Sequence, residues 1–277
     1  MERSIMRITA SIVIYNSPEK DLQTAIDCVT QSAVDQIYVI DNTLTDRLKN
    51  FTEQLSGKVV YVQGHGNVGY GAAHNIAMRE VIRQGAKYHL VINPDVVFTK
   101  GTIEKIAEFM DANPQAGQLI PKVVYPNGKL QYVCNLIPTP FDLLFRRCLP
   151  KKIIKKRMDK FQLKFTGLNK IMNVPYHHGC FMFFRVSALK EIGLFDERFF
   201  MYPEDIDLTR RMHEKFETLF YPEVEVVHTH SAESRKSLKM FRIHIVNLIR
   251  YFNKWGWFID AKRRITNQQV LKNIQNK

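Results

Sequence analysis

The chain has 277 residues, of which 45% are hydrophobic and 24% are charged, and its net charge at pH 7 is +13. This composition excludes a disordered chain and allows one large α/β domain with at most a small appendage. No apolar run approaches the roughly 18–20 residues that cross a bilayer, and the N-terminus lacks the apolar core of a signal peptide, so we expect a cytoplasmic protein.

The positive charge is concentrated in two segments. Residues 141–170 contain ten Lys or Arg and two Asp, a net charge of +8, and residues 235–277 contain eleven Lys or Arg and one Asp, a net charge of +10. The rest of the chain therefore has a net charge of −5. Such asymmetry points to an anionic partner rather than to a fold. The four cysteines are scattered, and we expect them to be reduced, buried and without a role in metal binding or catalysis.

The first half of the chain alternates short apolar runs with amphipathic stretches. Strands are predicted over residues 8–15, 36–41, 58–62 and 88–92, and helices over residues 19–31, 44–55, 72–84 and 102–112. Alternation at this spacing predicts a doubly wound, mostly parallel open sheet with helices on both faces.

The second half of the chain is less regular. Strands are predicted over residues 118–124, 130–133, 172–184 and 219–227, and helices over residues 186–192, 203–214 and 237–254. Residues 141–170 are expected to form a basic helical insertion. We divide the chain into a domain of residues 1–250 and a basic tail of residues 251–277, in which the pattern is polar and weakly determined.

Three predicted strands end in polar residues: Tyr15-Asn16, Asp41-Asn42 and Asn93-Pro94-Asp95. Ligands of open parallel sheets bind beyond the carboxyl ends of the strands, so together these ends predict a nucleotide crevice. Each of these three groups, taken alone, is also an ordinary way to end a strand. The glycine-rich residues 64–71 follow the third strand and lack a Lys-Ser/Thr pair, so they form neither a dinucleotide fingerprint nor a P-loop.

Three carboxylates, and a histidine near the end of the last predicted strand, are candidate metal-binding or catalytic residues. Asp95 follows an apolar strand, where a carboxylate can hold a divalent cation that neutralises a diphosphate. Glu204 and Asp205 lie at a predicted helix N-terminus beside aromatic residues, and partly apolar surroundings tune a carboxylate to act as a general base. His228 closes the last strand and is a candidate metal ligand with Asp95.

Taken in order, these blocks resemble glycosyltransferase family 2, which has the GT-A fold, and in particular its bacterial rhamnosyltransferase-like members. The resemblance covers about residues 7–250 and includes Gly66-Asn67-Val68-Gly69-Tyr70-Gly71 with Asn75, Asn93-Pro94-Asp95, residues 193–211 and His228. It implies an inverting transfer of rhamnose or another hexose from a dTDP- or UDP-linked donor. The acceptor would be a lipid-linked glycan in the synthesis of a bacterial surface polysaccharide.

The resemblance also implies roles for individual residues. Asp205 would be the general base, with Glu204 beside it, and Asp95 and His228 would hold Mg²⁺ or Mn²⁺. This sequence has Asn93 where the family's metal motif has its first acid. The predicted nucleotide-sugar-binding residues are Tyr15, Asn16, Asp41, Asn42, Asn67, Gly69, Tyr70, Asn75 and Asn93.

The basic residues of 141–170 are interleaved with apolar ones, which suits adsorption to an anionic membrane surface. We therefore expect a peripheral protein at the inner face of the plasma membrane. Two other functions stay open: a basic membrane- or nucleic-acid-binding module without catalysis, and a nucleotidyltransferase on a similar fold. No nucleic-acid-binding motif is present, so no nucleic acid partner is expected.

Overall fold

The computed structural model describes residues 7–144, 150–229 and 238–275. Its strands are β1 (Ile8–Ile14), β2 (Gln36–Asp41), β3 (Val59–Val62), β4 (Tyr88–Ile92), β5 (Val96–Phe98), β6 (Ala116–Val124), β7 (Cys134–Asn135), β8 (Met172–Asn173), β9 (Tyr176–His177), β10 (Phe181–Arg185) and β11 (Glu217–His228). Its helices are α1 (Glu19–Thr30), α2 (Lys49–Leu55), α3 (Tyr70–Gln84), α4 (Thr102–Ala112), α5 (Pro140–Leu143), α6 (Lys151–Phe161), α7 (Val186–Ile192), α8 (Glu204–His213), α9 (Leu238–Trp255) and α10 (Ala261–Gln275).

The main sheet is open and has the order β3-β2-β1-β4-β10-β6-β11-β5, with β8 also paired to β11. The first four strands are parallel, as the alternating pattern predicted. The second half is mixed: β10 runs antiparallel to both β4 and β6, while β6 and β11 are parallel and β5 and β8 are antiparallel to β11. Parallel pairing therefore holds throughout the N-terminal half of the sheet, whereas in the second half it is limited to β6 and β11.

Helices cover both faces of the sheet, and the alternation of side chains along the central strands shows this directly. Within β10, Phe181 and Phe183 pack in the cluster that contains α1 and α4, whereas Met182 and Phe184 pack in the cluster of α3, α7 and α8. A strand that is apolar on both faces requires such a layer on each side. The predicted α/β class and open sheet are confirmed.

Several predicted elements have different bounds. The predicted strand over 172–184 is divided into β8, β9 and β10, because turns at residues 174–175 and 178–180 redirect the chain. In the predicted strand over 130–133, Leu130 makes only an isolated bridge to Val124, and the regular pairing occurs later, in β7. Strand β5 was not predicted. Helix α2 begins at Lys49 rather than at residue 44.

The C-terminal residues form ordered helices. The proposed domain boundary at residue 250 lies inside α9, whose Tyr251 and Phe252 are fully buried in the core. Helix α10 is joined to the body by two 2.9 Å hydrogen bonds between Asn267 and the backbone of Ile137. The guanidinium of Arg210 in α8 makes a bidentate pair with Asp260 at 2.8 and 2.9 Å. The region after Gly256 is thus part of the folded body.

The described part of the basic insertion is helical in α6, as expected, and several of its apolar side chains face inward, whereas Phe141 and Phe165 are exposed. Phe161, Leu163 and Leu168 belong to the main core. Arg157 donates to Asp142 at 2.6 Å and to Thr139 at 2.6 Å. The basic pair at 146–147 lies outside the described residues. None of the helices in the described ranges is long and apolar enough to span a membrane.

Candidate active site

The carboxyl ends of β1 and β2 meet at one edge of the sheet. The Asn42 N–H donates to the carbonyl of Ile14 at 2.9 Å, and the Asn16 N–H donates to Oγ1 of Thr43 at 3.0 Å. Tyr15 and Asn16 are exposed there, and Asn16 adopts a left-handed φ of 50°, which asparagine tolerates better than most residues. Both side chains are therefore available to a ligand at this edge.

Asp41 ends β2 and is buried with both carboxylate oxygens fixed. The Tyr61 hydroxyl donates to Oδ2 at 2.6 Å, and the Thr43 N–H donates to Oδ1 at 2.8 Å. Burial, and then the hydrogen bond to Asp41, raise the pKa of the Tyr61 hydroxyl, so it remains a donor at neutral pH. The carboxylate presents its remaining lone pairs in one orientation. Its pairing with a nucleobase stays a prediction.

The glycine-rich turn fits tightly against the loop that precedes α8. Gly69 has a φ of +91°, and a Cβ at this position would overlap the Phe200 carbonyl oxygen. The same oxygen accepts the Tyr70 N–H at 2.9 Å. The Asn67 side chain accepts the Gly69 N–H, and the Asn42 amide donates to the Gly69 carbonyl, both at 3.2 Å. Asn42 and Asn67 thus shape the turn, and only Asn67 is exposed.

Tyr70 connects the two halves of the site. Its hydroxyl lies 2.7 Å from the Gly179 carbonyl oxygen and 3.0 Å from Oδ1 of Asn93. Burial, with the nearby carboxylates of Glu204, Asp205 and Asp95, raises its pKa well above the usual value. The hydroxyl therefore stays protonated and holds the end of β4 against the residues that precede β10.

Asp205 is held by backbone donors. The Gly179 N–H donates to its Oδ2 at 2.9 Å, and the Ile206 N–H donates to its Oδ1 at 2.8 Å. Burial raises the pKa of Asp205 above the ordinary range of an aspartate, while these backbone hydrogen bonds oppose the rise. A carboxylate with a raised pKa is a stronger base than a solvated one, as a general base requires.

Glu204, predicted to act beside Asp205, is in a different environment. Its side chain is buried, and among the described residues its Oε2 has no hydrogen-bond partner. Burial, and then the charge of Asp205, raise its pKa well above the usual value. Two neighbouring buried carboxyls do not ionise together, so Asp205 takes the charge and Glu204 keeps its proton. The geometry favours a neutral, supporting Glu204.

Asp95 and His228 lie side by side, although 133 positions separate them in the sequence. Oδ1 of Asp95 is 3.3 Å from Nε2 of His228, and Nδ1 of the ring is 3.0 Å from Oε1 of Gln131. The Gln131 amide in turn donates to the His228 carbonyl at 2.7 Å. Burial alone would lower the pKa of His228, but hydrogen bonds to Asp95 and Cys180 raise it to about 10.

This pair fits a metal that takes other ligands from its substrate. Within the described ranges, no three His, Cys, Asp or Glu side chains are grouped closely enough to hold a metal ion by themselves. Mg²⁺ commonly uses one or two carboxylates together with substrate phosphates, and a metal-bound histidine is usually oriented through its other ring nitrogen. Asp95 offers the carboxylate and Gln131 orients His228. Asn93 is directed to Tyr70 instead.

Asn75, which we predicted to contribute to the nucleotide-sugar cradle, is buried and fully engaged with the loop before α8. Its amide donates to the Phe195 carbonyl and to Oε1 of Glu197, both at 2.9 Å, and its carbonyl accepts the Phe195 N–H at 3.0 Å. These bonds hold residues 193–200, which we call the catalytic loop, against α3. The geometry favours this anchoring role over direct ligand contact.

The C-terminal helix α9 holds the other side of the catalytic loop and the residues that follow it. The Asn247 amide donates to the Met201 carbonyl at 2.9 Å, and Arg250 donates to the Arg198 carbonyl at 2.8 Å. Tyr202, with a left-handed φ of 84°, packs edge-on against His244 at 4.5 Å between ring centroids. The chain leading to Asp205 is therefore fixed between α3 and α9.

Four site residues were not predicted: Gly179, Cys180, Tyr61 and Gln131. Gly179 and Cys180 precede β10, and the available signal was the His177-His178-Gly179-Cys180 sequence before an apolar run. Because β10 is antiparallel, its first residue lies where its parallel neighbours end. Cys180 is buried and contributes to the raised pKa of His228, and the expectation that the cysteines have no role in metal binding or catalysis stays a prediction. His230, two residues after His228, lies outside the described residues.

Open α/β sheets bind their ligands beyond the carboxyl ends of the parallel strands, and this chain has polar side chains at that edge. The family model of glycosyl transferase family 2 matches residues 9–193, well over half of the chain. The chain therefore belongs to glycosyl transferase family 2, and it is a glycosyltransferase. The predicted resemblance to rhamnosyltransferase-like members is confirmed by curated relatives.

Two of these relatives are similar over most of their length. The N-acetylglucosaminyl-diphospho-decaprenol L-rhamnosyltransferase of Mycobacterium tuberculosis is 26% identical over 239 residues, which are 80% of this chain and 76% of the relative. The rhamnosyltransferase WbbL of Escherichia coli K12 is 25% identical over 248 residues, which are 87% and 88% of the two chains.

Solved structures agree on the fold. The mannosyltransferase PcManGT of Pyrobaculum calidifontis, solved with GDP-Man and Mn²⁺, is 14% identical with a TM-score of 0.57, covering 98% of this chain and 73% of its own. GalNAc-T7, solved with UDP, GalNAc and Mn²⁺, is 14% identical with a TM-score of 0.61 over 81% of this chain. This chain spans only 43% of the GalNAc-T7 chain. At these identities the likeness concerns the fold, which is GT-A.

Proposed function

We propose that this glycosyltransferase transfers a rhamnosyl group, or another hexosyl group, from a nucleoside-diphosphate sugar to a lipid-linked glycan during synthesis of a bacterial surface polysaccharide. The observation that carries the proposal is the connection through Tyr70, which joins the donor edge at Asn93 to the Gly179 backbone that holds Asp205. The rhamnosyl donor is supported by the activities named for both curated relatives, and the lipid-diphosphate acceptor by the name of the Mycobacterium tuberculosis relative.

The proposed reaction is an in-line displacement with inversion. The carboxylate of Asp205 takes the proton of an acceptor hydroxyl as the hydroxyl oxygen attacks the anomeric carbon. The bond from that carbon to the diphosphate oxygen breaks, and the electron pair leaves with the nucleoside diphosphate. Gly179 and Ile206 keep Asp205 in position through their N–H groups. A positioned base of this kind contributes about 10²–10⁴-fold to a rate.

The nucleotide would lie along the edge made by β1, β2 and β4. Asp41, fixed by Tyr61, is proposed to accept a hydrogen bond from a pyrimidine N–H, with Tyr15 and Asn16 lining the same pocket. Asp95 and His228 would hold Mg²⁺ or Mn²⁺, which when bound supplies positive charge against the diphosphate of the leaving group. The acceptor's lipid anchor implies work at an anionic membrane surface, and we propose the cytoplasmic face.

The testing experiment is a donor panel. dTDP-rhamnose, UDP-galactose, UDP-glucose and UDP-N-acetylglucosamine are mixed with the protein in Mg²⁺, Mn²⁺ or a chelator, with and without a polyprenyl-diphosphate-linked N-acetylglucosamine. Thermal shift reports donor binding and nucleoside-diphosphate release reports turnover. We expect one donor, with dTDP-rhamnose first, to raise Tm and to be consumed only with metal and acceptor.

The control is Asp41→Asn, which should lose the donor-induced Tm shift while keeping its own Tm near that of the parent. A protein that binds no donor but binds DNA or RNA in a salt-dependent manner would overturn the proposal and favour the basic binding module. Release of inorganic diphosphate from a nucleoside triphosphate and a sugar phosphate would favour the nucleotidyltransferase.

A further inference from the structure

The first half of α9 is apolar and cationic, and it is only partly packed against the protein. From Leu238 to Val246, six of nine residues are apolar, and none of the nine is buried. The helix contains no Asp or Glu over its whole length. An apolar segment of this size on a protein surface marks an interaction site, because burial is what normally stabilises such residues.

The exposed groups of α9 lie on one face. Leu238, Arg242, Val246 and Ile249 are exposed, and the last three lie four, eight and eleven residues from the first, which aligns them along one side of a helix, with the partly buried Ile245 at its edge. The opposite side, with Asn247, Leu248 and Tyr251, is buried against the core. Lys239 and Arg250 flank the outer face. This outer face of α9 therefore has the composition of a helix that lies in a membrane interface.

The helix that carries the outer face is fixed to the residues that precede Asp205, the proposed base. The inner side of the same helix contacts the segment leading to Asp205, through Asn247 with Met201 and through His244 with Tyr202. Helix α9 also begins ten residues after His228. A surface on which α9 rests would thus be held near the acceptor end of the site.

The basic insertion is less suited to this task than α9. Its cationic residues include the exposed Lys152, Lys155 and Lys156, but the apolar residues that follow them, such as Phe161 and Leu163, are used in the core. Phe141 and Phe165 are exposed in this segment, but cations with few exposed apolar neighbours attract a charged surface more than they insert into it. Membrane contact by residues 141–170 stays a prediction, and α9 offers the larger group of exposed apolar side chains.

We propose that the outer face of α9 docks onto an anionic lipid bilayer and orients the active site toward a membrane-bound acceptor. The inference rests on the proposed function only for the lipid anchor of the acceptor. The cationic face complements anionic headgroups, while two copies of it would repel each other, so a bilayer is favoured over a second copy of the chain. Leu238, Val246 and Ile249 enter the interface, and Lys239 and Arg242 contact headgroups.

The test is flotation of the full chain with phosphatidylcholine vesicles that contain either no anionic lipid or about 30% phosphatidylglycerol. Each cation at such a surface contributes roughly fivefold to partitioning, so Lys239→Gln/Arg242→Gln should weaken binding to anionic vesicles on the order of 30-fold. Val246→Gln/Ile249→Gln should weaken it at least about tenfold. The wild-type affinity should fall with added salt.

Two matched variants serve as controls. Lys155→Gln/Lys156→Gln removes two cations from α6, and Phe258→Gln/Ile259→Gln alters another exposed apolar pair, which is 65% and 93% exposed. Both should bind as the wild type does within about twofold. Equal partitioning of the wild type onto neutral and anionic vesicles, or losses confined to either control, would overturn the proposal. So would a dimer in solution that only the α9 variants dissociate.

Flotation needs neither donor nor acceptor, so it separates this inference from the proposed function. Vesicle binding lost in the α9 variants, in a protein that turns over no donor, supports the docking surface and contradicts the function. With an active enzyme, the α9 variants should keep wild-type turnover of a short-chain, water-soluble acceptor and lose turnover of a vesicle-embedded acceptor. Equal losses on both acceptors would contradict the docking role.

Discussion

Asp205 is positioned by a glycine and an adjacent amide rather than by a second charged group. Because the Gly179 and Ile206 N–H groups occupy one lone pair on each oxygen, the carboxylate keeps a fixed direction while its pKa is raised by burial. Direction and basicity therefore have separate structural causes, and substitutions can test them separately.

Asp205→Asn should reduce turnover by about 10²–10⁴-fold and leave the donor-induced thermal shift intact, because the amide keeps the shape but accepts no proton. In the wild type, activity should decline on the acid side at a pH above the ordinary range of an aspartate, since protonated Asp205 is inactive. Turnover measured as a function of pH in the two proteins checks the loss in Asp205→Asn and the acid-side decline in the wild type. A variant with near-normal turnover would exclude Asp205 as the base.

Glu204→Gln should stabilise the protein, and more so as pH rises. A raised folded pKa means that the folded state retains a proton that the unfolded chain releases, so native stability falls as pH increases above the ordinary glutamate pKa. Glutamine mimics the neutral carboxyl and removes this loss. We expect Tm to rise relative to wild type at pH 8 and to match it near pH 4, with turnover at neutral pH within a few-fold. A turnover loss as large as that of Asp205→Asn would restore a catalytic Glu204.

Tyr70→Phe tests the link between the donor and base halves of the site. Loss of the hydroxyl frees both Asn93 and Gly179, so kcat should fall by roughly 10–100-fold at a stability cost of about 1 kcal/mol. The matched variant Tyr61→Phe removes the hydroxyl that holds Asp41, and it should raise the KM for the donor with little change in kcat. Steady-state kinetics distinguish the two, and identical effects in both variants would refute the link.

At the scale of elements, the sequence predicted individual strands and helices better than the pairing between them. Hydrophobic periodicity identified β1, β2, β3 and β4 and the helices between them, because each is decided by its own residues. Pairing between strands depends on the whole chain, so the reversal of β10 was not visible. Helix α10 was missed for the same reason: its order depends on distant contacts such as Asn267 with Ile137, and not on its own pattern.

For the candidate site, too, the sequence indicated local features but not their distant partners. Strand ends and the acidic α8 N-terminus were found, because polar residues after apolar runs are a local signal. The partners of these residues were not: Tyr70 and Gly179 are 109 positions apart, and Asn75 and Phe195 are 120 apart. Only the fold brings such pairs together. It also showed that Asn75 and Glu204 are buried, which no local pattern indicates.

Gly69→Ala tests the contact between the glycine turn and the catalytic loop. The added Cβ would meet the Phe200 carbonyl, so the loop must shift, and we expect a strong loss of turnover together with lower stability. Gly64→Ala is a matched control, since Gly64 also has a left-handed φ, of +97°, but nothing lies within 4 Å of its Cβ position. It should cost only about 1–2 kcal/mol of backbone strain. Equal effects in thermal unfolding and turnover would refute the contact.

At the scale of the whole molecule, the C-terminal helices are integral to stability. Asp260 and Arg210 form a bidentate ion pair with side chains 4% and 2% exposed, and the guanidinium stacks 3.9 Å from the Trp255 ring. The pair joins the last helices to α8, which begins with Glu204 and the proposed base Asp205. Truncation within residues 251–277 would therefore disturb the site as well as the C-terminus.

Asp260→Ala should lower the free energy of unfolding by about 3–5 kcal/mol, because it leaves the buried Arg210 charge without its partner. Lys262→Ala, two positions away, removes an exposed ion pair with Glu214 at 3.2 Å and should cost no more than about 1 kcal/mol. Chemical denaturation measures both. Similar costs for the two variants would show that the C-terminal helices are not coupled to α8 in this way.

The fixation of the catalytic loop between α3 and α9 has a consequence for how the enzyme lowers its barrier. A loop tied by Asn75, by the Tyr70 N–H and by Arg250 cannot act as a swinging lid without breaking bonds on both sides. In the proposed reaction its dipoles would be oriented before any substrate arrives, so little reorganisation energy would be spent when charge moves to the leaving diphosphate. In this mechanism most of the free energy needed to orient the dipoles is spent once, during folding, and not in each turnover.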